Sequence, residues 1–253
     1  MDLSSLIYGV YERRLAHDLD RTATPRHVGV MLDGNRRWAK ANGFDTADGH
    51  QAGADKIRDL LAWCEEAGVE VVTLWLLSTD NLDRDASELE PLLRIIERAV
   101  SDLAAAHRWR LHPIGALDLL PAHIADALRA AETATQDVAG LTVNVAVGYG
   151  GRREIADAVR HLLLDHARAG TSLEDLAATV SVEEIASHLY TRGQPDPDLV
   201  IRTSGEQRLG GFLLWQSAKS EFYICEAYWP DFRKVDFLRA LRSYGSRERR
   251  FGR

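Results

Sequence analysis

One feature restricts the fold of this chain more than any other: short apolar runs alternate with longer stretches of helical period. The strand-like runs are HVGVML (27–32), VEVVTLWLL (69–77), WRLHPIG (109–115), LTVNVAV (141–147), DLVIR (198–202) and EFYIC (221–225). Between most of them lie helix-like stretches at 50–67, 86–107, 121–134, 151–168, 182–189 and 234–249. Several runs are apolar at consecutive positions, so both their faces meet hydrocarbon, as in a parallel sheet covered by helices. Such alternation predicts an α/β fold: a single domain with a central, doubly wound, mostly parallel sheet flanked by helices. Ahead of it, Leu3, Leu6, Ile7, Val10, Leu15 and Leu19 share one helical face, and TATPR ends that pattern. The expected organisation is an N-terminal helix within 1–24 and a main domain over 25–253.

A chain of 253 residues that is 45% hydrophobic can bury a full core. Its net charge of -7 opposes a broad nucleic-acid surface, so any basic site must be local. Only two cysteines occur, Cys64 and Cys225, both in apolar segments; they make neither a zinc site nor a disulfide framework, and a reducing cytoplasm is the expected home. The apolar runs are too short to cross a bilayer, and no basic segment marks a signal peptide. Peripheral membrane contact through the N-terminal helix stays open, although the acidic residues around it oppose one.

In open α/β sheets, ligands bind beyond the carboxyl ends of the strands. After the first run come Asp33, Gly34, Asn35, Arg36, Arg37 and Trp38; after the second, Ser78, Thr79, Asp80, Asn81 and Arg84. The fourth is followed by GYGGRR with Arg152 and Arg153, and the fifth by Arg202, Thr203, Ser204, Gly205 and Arg208; Glu221 opens the last. These arginine-bearing clusters should face one crevice, near His50 and His27. Arginine forks bind phosphate oxygens in pairs, and amides in glycine-rich turns add donors. Asp33 among these cations could hold magnesium against a phosphate.

Familiar nucleotide and hydrolase signatures are missing. GYGGRRE is not G-x-G-x-x-G, because its sixth position is Arg153. There is no Walker lysine motif, no G-x-S-x-G elbow, no H-E-x-x-H helix and no adjacent pair of aspartates.

Taken together, MLDGNRRWAK, GHQAGADKI, LSTDNLDR, VGYGGRREI, VIRTSGEQRLGGFLLWQSAKSEFY, YWPDF and RERRFGR resemble the cis-prenyltransferase (undecaprenyl diphosphate synthase) family in order and spacing, from about Pro25 to the C-terminus. The resemblance implies a magnesium-dependent homodimer that joins isopentenyl diphosphate to an allylic diphosphate with a Z double bond. It implies that Asp33 binds magnesium and assists departure of the allylic diphosphate, with Glu221 completing the metal site. Gly34, Asn35, Arg36 and Arg37 would line the allylic diphosphate site, with Trp38 and His50 nearby. Asn81, with Ser78, Thr79, Asp80, Leu82 and Arg84, would stand where the proton leaves isopentenyl diphosphate. Arg202, Arg208, Leu209 and Gly210 would hold that second diphosphate, and Arg250 would reach diphosphate across the dimer.

Four positions depart from the family pattern. Thr46 replaces an arginine and Gly210 a serine, which removes diphosphate contacts. Leu82 replaces an aromatic, and Leu76 replaces a small residue found in long-chain members, with its face on the product tunnel. The last two point to a short product, as in the Z-farnesyl diphosphate synthases. A long-chain synthase and a non-catalytic partner subunit stay open as alternatives, although retention of Asp33, Asn81 and Glu221 opposes the second. An aspartate-nucleophile phosphohydrolase needs a carboxylate two residues after Asp33, where Asn35 stands.

Overall fold

Parallel neighbours cannot be joined by a tight hairpin, so each strand must be followed by a crossover. The computed structural model describes residues 12–15 and 23–246, and meets this demand with helices except between β5 and β6, where a loop ending in one short 3-10 turn makes the crossover. Its strands are β1 (His27–Met31), β2 (Val71–Ser78), β3 (Arg110–Ile114), β4 (Thr142–Tyr149), β5 (Leu199–Arg202) and β6 (Glu221–Ile224). Its helices are α1 (Asn35–Asn42), α2 (Thr46–Ala67), α3 (Ala86–Ala105), α4 (Ala122–Thr135), α5 (Gly151–Arg168), α6 (Leu173–Thr179), α7 (Val182–Ala186) and α8 (Lys234–Ser246). The strands form one sheet in the order β3-β4-β2-β1-β5-β6, and every pairing among the described residues is parallel, so the expected sheet is present there without an antiparallel member.

Both faces are covered. On one, Val28, Val30, Val72, Leu74, Val143 and Val145 meet apolar residues of α2, α3, α4 and α8, such as Ile57, Leu61, Ile96, Leu128 and Phe237. On the other, Met31, Ala146, Tyr149 and Val200 pack with Phe212 and Leu213. α2 begins at Thr46 rather than at 50 because Asp45 and Asp48 cap it reciprocally. The long strand β2 is irregular: its register against β4 shifts between Trp75 and Leu77. Strict alternation would put Leu77 on the Trp75 face. The bulge instead turns Leu77 into the cluster that holds Leu74, with Leu76 packed at its edge.

Of the expected N-terminal helix only residues 12–15 are described; they are helical, and Leu15 is buried against Val235 and Leu238 of α8. The Arg250 segment lies outside the described residues.

Candidate active site

Asp33 follows β1 two residues past its end, and the backbone there is tied from several sides. The Thr203 hydroxyl lies 2.9 Å from the Asp33 N–H and 2.6 Å from its carbonyl. Trp229 donates its N–H to the same carbonyl (3.0 Å) and its indole N–H to the Gly53 carbonyl on α2 (2.7 Å). The carboxylate accepts from Arg202 at 2.8 Å and from Arg37 at 3.3 Å. Burial acts to raise the Asp33 pKa, but the two guanidiniums, Arg202 foremost, outweigh it and hold the carboxyl below its usual range. Asp33 is therefore an ionised oxygen donor at neutral pH.

Gly34 opens α1 at φ 110°, a conformation that favours glycine, and no side chain caps the helix. Its first N–H groups are left for a ligand, at the end of the helix where anions are stabilised. α2 comes close enough to hold this turn because it carries glycine where it touches. A Cβ on Gly49 would meet the Asn35 carbonyl oxygen at 2.3 Å, and one on Gly53 would meet Asn35 Oδ1 at 2.6 Å. One helical turn separates Gly49 from Gly53, and His50 lies between them. Burial first, and then the neighbouring Arg84 and Arg36, push its imidazole down to about 4.

The arginines are cross-linked by carboxylates. Glu88 spans Arg36 (3.4 Å) and Arg84 (2.8 Å). Glu206 spans Arg37 (3.3 Å) and Arg208 (3.0 Å). Arg202 also donates to the Arg208 carbonyl. At the end of β2, the Ser78 hydroxyl accepts from the Asn81 N–H at 3.2 Å and so begins the turn that presents Asn81.

These groups surround one cavity of about 990 Å³ at the carboxyl ends of the strands. Asp33, Gly34, Asn35, Arg36, Arg37, His50, Ser78, Asp80, Asn81, Arg84, Arg202, Arg208 and Gly210 line it. So do Leu76 and, deeper, Ile57, Leu77, Leu92 and Ile96, so a charged mouth leads to a hydrocarbon interior. Three buried polar atoms of its lining residues have no hydrogen-bond partner among the described residues: Asn35 Oδ1, His50 Nε2 and Arg202 Nε. Unpaired buried groups are costly, and a ligand rich in oxygens would satisfy the two nitrogens.

Other sequence-predicted residues do not reach this cavity. Trp38 turns aside, donating to Asp231 at 2.9 Å and stacking on Phe44. Leu82 packs against the main core, and neither Thr79 nor Leu209 is among the lining residues. Arg153 runs back along α5 to Asp157 (2.8 Å), and Arg152 does not line the cavity either. Glu221 and His27 both open strands, which places them at the amino-terminal edge of a parallel sheet. Glu221 pairs in register with Leu199, three residues before Arg202, roughly 10 Å away along the strand. Glu221 and Asp33 therefore do not meet within one chain. Among the described residues, no three His, Cys, Asp or Glu side chains converge on a metal site.

Residues that motif reading passed over include Trp229, which ties Asp33 to α2, and Glu206. Both stand inside quoted motifs, YWPDF and RTSGEQRLGG, but nothing in their spacing marks a contact with Asp33 or Arg37.

Comparisons with known proteins agree with this architecture. The prenyltransferase family model, described as undecaprenyl diphosphate synthase, matches residues 31–252. A (2Z,6E)-farnesyl diphosphate synthase of Thermobifida fusca is 65% identical over 97% of each chain. One from Mycobacterium tuberculosis is 53% identical over 99% of this chain and 97% of that one. Among solved structures, lavandulyl diphosphate synthase from Lavandula x intermedia, in complex with dimethylallyl diphosphate, superposes with a TM-score of 0.84 at 35% identity, covering 92% of this chain and all of that one. The chain belongs to the undecaprenyl diphosphate synthase family of prenyltransferases.

Proposed function

We propose that this prenyltransferase condenses isopentenyl diphosphate with an allylic diphosphate, dimethylallyl or geranyl, and releases a short Z-prenyl diphosphate such as Z,E-farnesyl diphosphate. The observation that carries this is Asp33, clamped between Arg37 and Arg202 at the charged mouth of a cavity with a hydrocarbon interior. The names and identities of the relatives support the short product.

The reaction breaks the bond between the allylic carbon and its diphosphate oxygen, forms a carbon–carbon bond to isopentenyl diphosphate, and loses a proton. Each step makes a demand that this chain can meet. The leaving diphosphate gathers charge, which the open N–H groups of α1, Arg36 and Arg37 stabilise where it develops. The allylic carbon becomes electron-poor, and the apolar wall keeps water from capturing it. Arg202 and Arg208 hold the isopentenyl diphosphate, and Asn81, fixed by Ser78, stands by the departing proton.

Magnesium suits the donor set. Asp33 offers one ionised hard oxygen, and Mg²⁺ is commonly held by one or two carboxylates with substrate phosphates and water. Bound there, it would neutralise diphosphate charge as a Lewis acid. Asp33 is the residue that would hold it, with no donor from Glu221 of the same chain.

A homodimer is supported by α5, which exposes Val159, Leu163 and Leu164 along one helix. No described helix is long and apolar enough to cross a membrane. Incubating the purified chain with isopentenyl diphosphate and each starter, followed by mass analysis, tests the reading. No incorporation with either starter in the presence of magnesium would reject it, and products much longer than farnesyl would reject the short-chain assignment.

A further inference from the structure

Glu206 has no part in the reaction above, yet it occupies the centre of the charged mouth. One carboxylate oxygen is 3.3 Å from Arg37 and the other is 3.0 Å from Arg208. On the functional reading just given, those arginines belong to the two different substrates. A carboxylate that gives each guanidinium one oxygen supplies to each the anionic partner that its own diphosphate would supply. We propose that Glu206 is a resident counter-ion: it stands in for diphosphate in the empty site, yields when substrate enters and returns when pyrophosphate leaves. The inference rests on the proposed function of the same cavity.

The packing supports exchange. The backbone on the N-terminal side of Glu206 is pinned, because Ser204 donates to the Ala227 carbonyl at 2.8 Å and Gly205 to the Cys225 carbonyl at 2.9 Å. Movement therefore falls to the Glu206 side chain. Its pairs are the dispensable kind, since Arg37 is 43% and Arg208 74% exposed at the side chain, and solvent-exposed ion pairs hold weakly. Arg37 does not collapse when Glu206 departs, because it also donates to the Ser204 hydroxyl at 2.6 Å. The Arg202–Asp33 pair is built differently, with its guanidinium 8% exposed, and persists through the cycle. Without Glu206, Arg37 and Arg208 would hold pyrophosphate more firmly after the reaction; a tethered anion speeds release, a step that limits turnover in many enzymes.

Titration of the full-length protein with inorganic pyrophosphate at fixed magnesium tests this. Glu206→Gln keeps the shape and removes the charge; it should bind pyrophosphate roughly two- to fivefold tighter, the scale of an exposed ion pair. KM for both diphosphate substrates should fall with kcat, a split that general loosening of the loop would not give. Glu206→Asp, which keeps the charge, should bind closer to wild type than Glu206→Gln. Unchanged or weaker binding by Glu206→Gln, or identical binding by the two variants, would overturn the proposal. If the wild-type protein fails to bind pyrophosphate, the functional reading falls with it; if it binds and Glu206→Gln makes no difference, only this inference falls.

Discussion

His27 and His50 are both buried, and burial is the largest cause that pushes each down to about 4. They stand at opposite ends of the same sheet and are treated differently. At the amino-terminal end, His27 donates Nδ1–H to the Pro195 carbonyl (2.7 Å) and accepts at Nε2 from Thr73 (2.8 Å). Asn144 donates to Thr73 at 2.9 Å and exchanges amide bonds with Gln194 at 2.6 and 2.9 Å. At the carboxyl end, His50 Nε2 has no partner among the described residues, and neither has Asn35 Oδ1. Volume does not separate the two ends, because a cavity of about 700 Å³ opens beside the closed network too. There His112 is already bonded to Glu132 (2.7 Å) and Arg110 to the Val138 carbonyl (3.1 Å). The difference lies in unfinished hydrogen bonding: where buried polar groups are complete they lock the sheet, and where they are incomplete they wait for a ligand.

The largest effect expected of this contrast is at the open end. Asp33→Ala should lower the rate of isopentenyl diphosphate incorporation by at least about a hundredfold, because metal and oxyanion stabilisation are worth several kcal/mol. A variant that keeps more than roughly a tenth of the rate would remove Asp33 from the clamp.

The next test separates cavity wall from core on a single strand. Leu74→Ala should cost about 2–5 kcal/mol of stability and leave product length alone, since Leu74 is 1% exposed and absent from the cavity lining. Leu76→Ala should cost less than that and shift products longer. Chromatography of products beside melting curves checks both, and unchanged products with a core-sized loss would make Leu76 ordinary packing.

At the closed end, Thr73→Val leaves His27 Nε2 and an Asn144 N–H without their partner. It should cost about 1–3 kcal/mol while kcat of the folded protein stays the same. A fall in kcat without loss of stability would contradict the division between the two ends.

The smallest effect concerns pH. A histidine with a depressed folded pKa is protonated more readily when unfolded, so its share of stability is complete above about 6.5 and lost as pH falls toward about 4. Each histidine should contribute up to about 1.4 kcal/mol per pH unit to that slope. Pyrophosphate should erase the His50 share, because a nearby anion favours imidazolium, and should leave the His27 share intact. Melting curves from pH 4 to 7 for His50→Gln and wild type, with and without pyrophosphate, would show this; an equal slope in all four would not fit.

The strands were readable because their apolar runs are long, and the strand-end rule leads to Asp33, Asn81 and Arg202, which line one cavity. α1 was passed over because NRRWAKAN has few apolar residues and starts at a glycine with no side-chain cap. α6 was missed because it is short and buries only Leu176. Glu221 was credited to the metal site through family likeness, although it opens a strand, and the parallel register alone separates it from Asp33. The bulge at Leu76 breaks the two-residue period on which any sequence argument about the faces of β2 depends. The close approach of α1 and α2 requires Gly49 and Gly53, and that requirement is visible only in three dimensions.

The clamp on Asp33 has a consequence for how the protein is made. Arg202 is 169 residues later in the chain, so at about 5–20 residues per second a ribosome needs on the order of ten to thirty seconds to supply it. Over that interval the side of β1 that pairs with β5 stays open, a bare strand edge in the middle of the future sheet and a template for wrong partners. Nascent chains of this enzyme should therefore depend on holdase protection until β5 emerges. Chains that stop before Arg202 should aggregate rather than persist as partly active fragments.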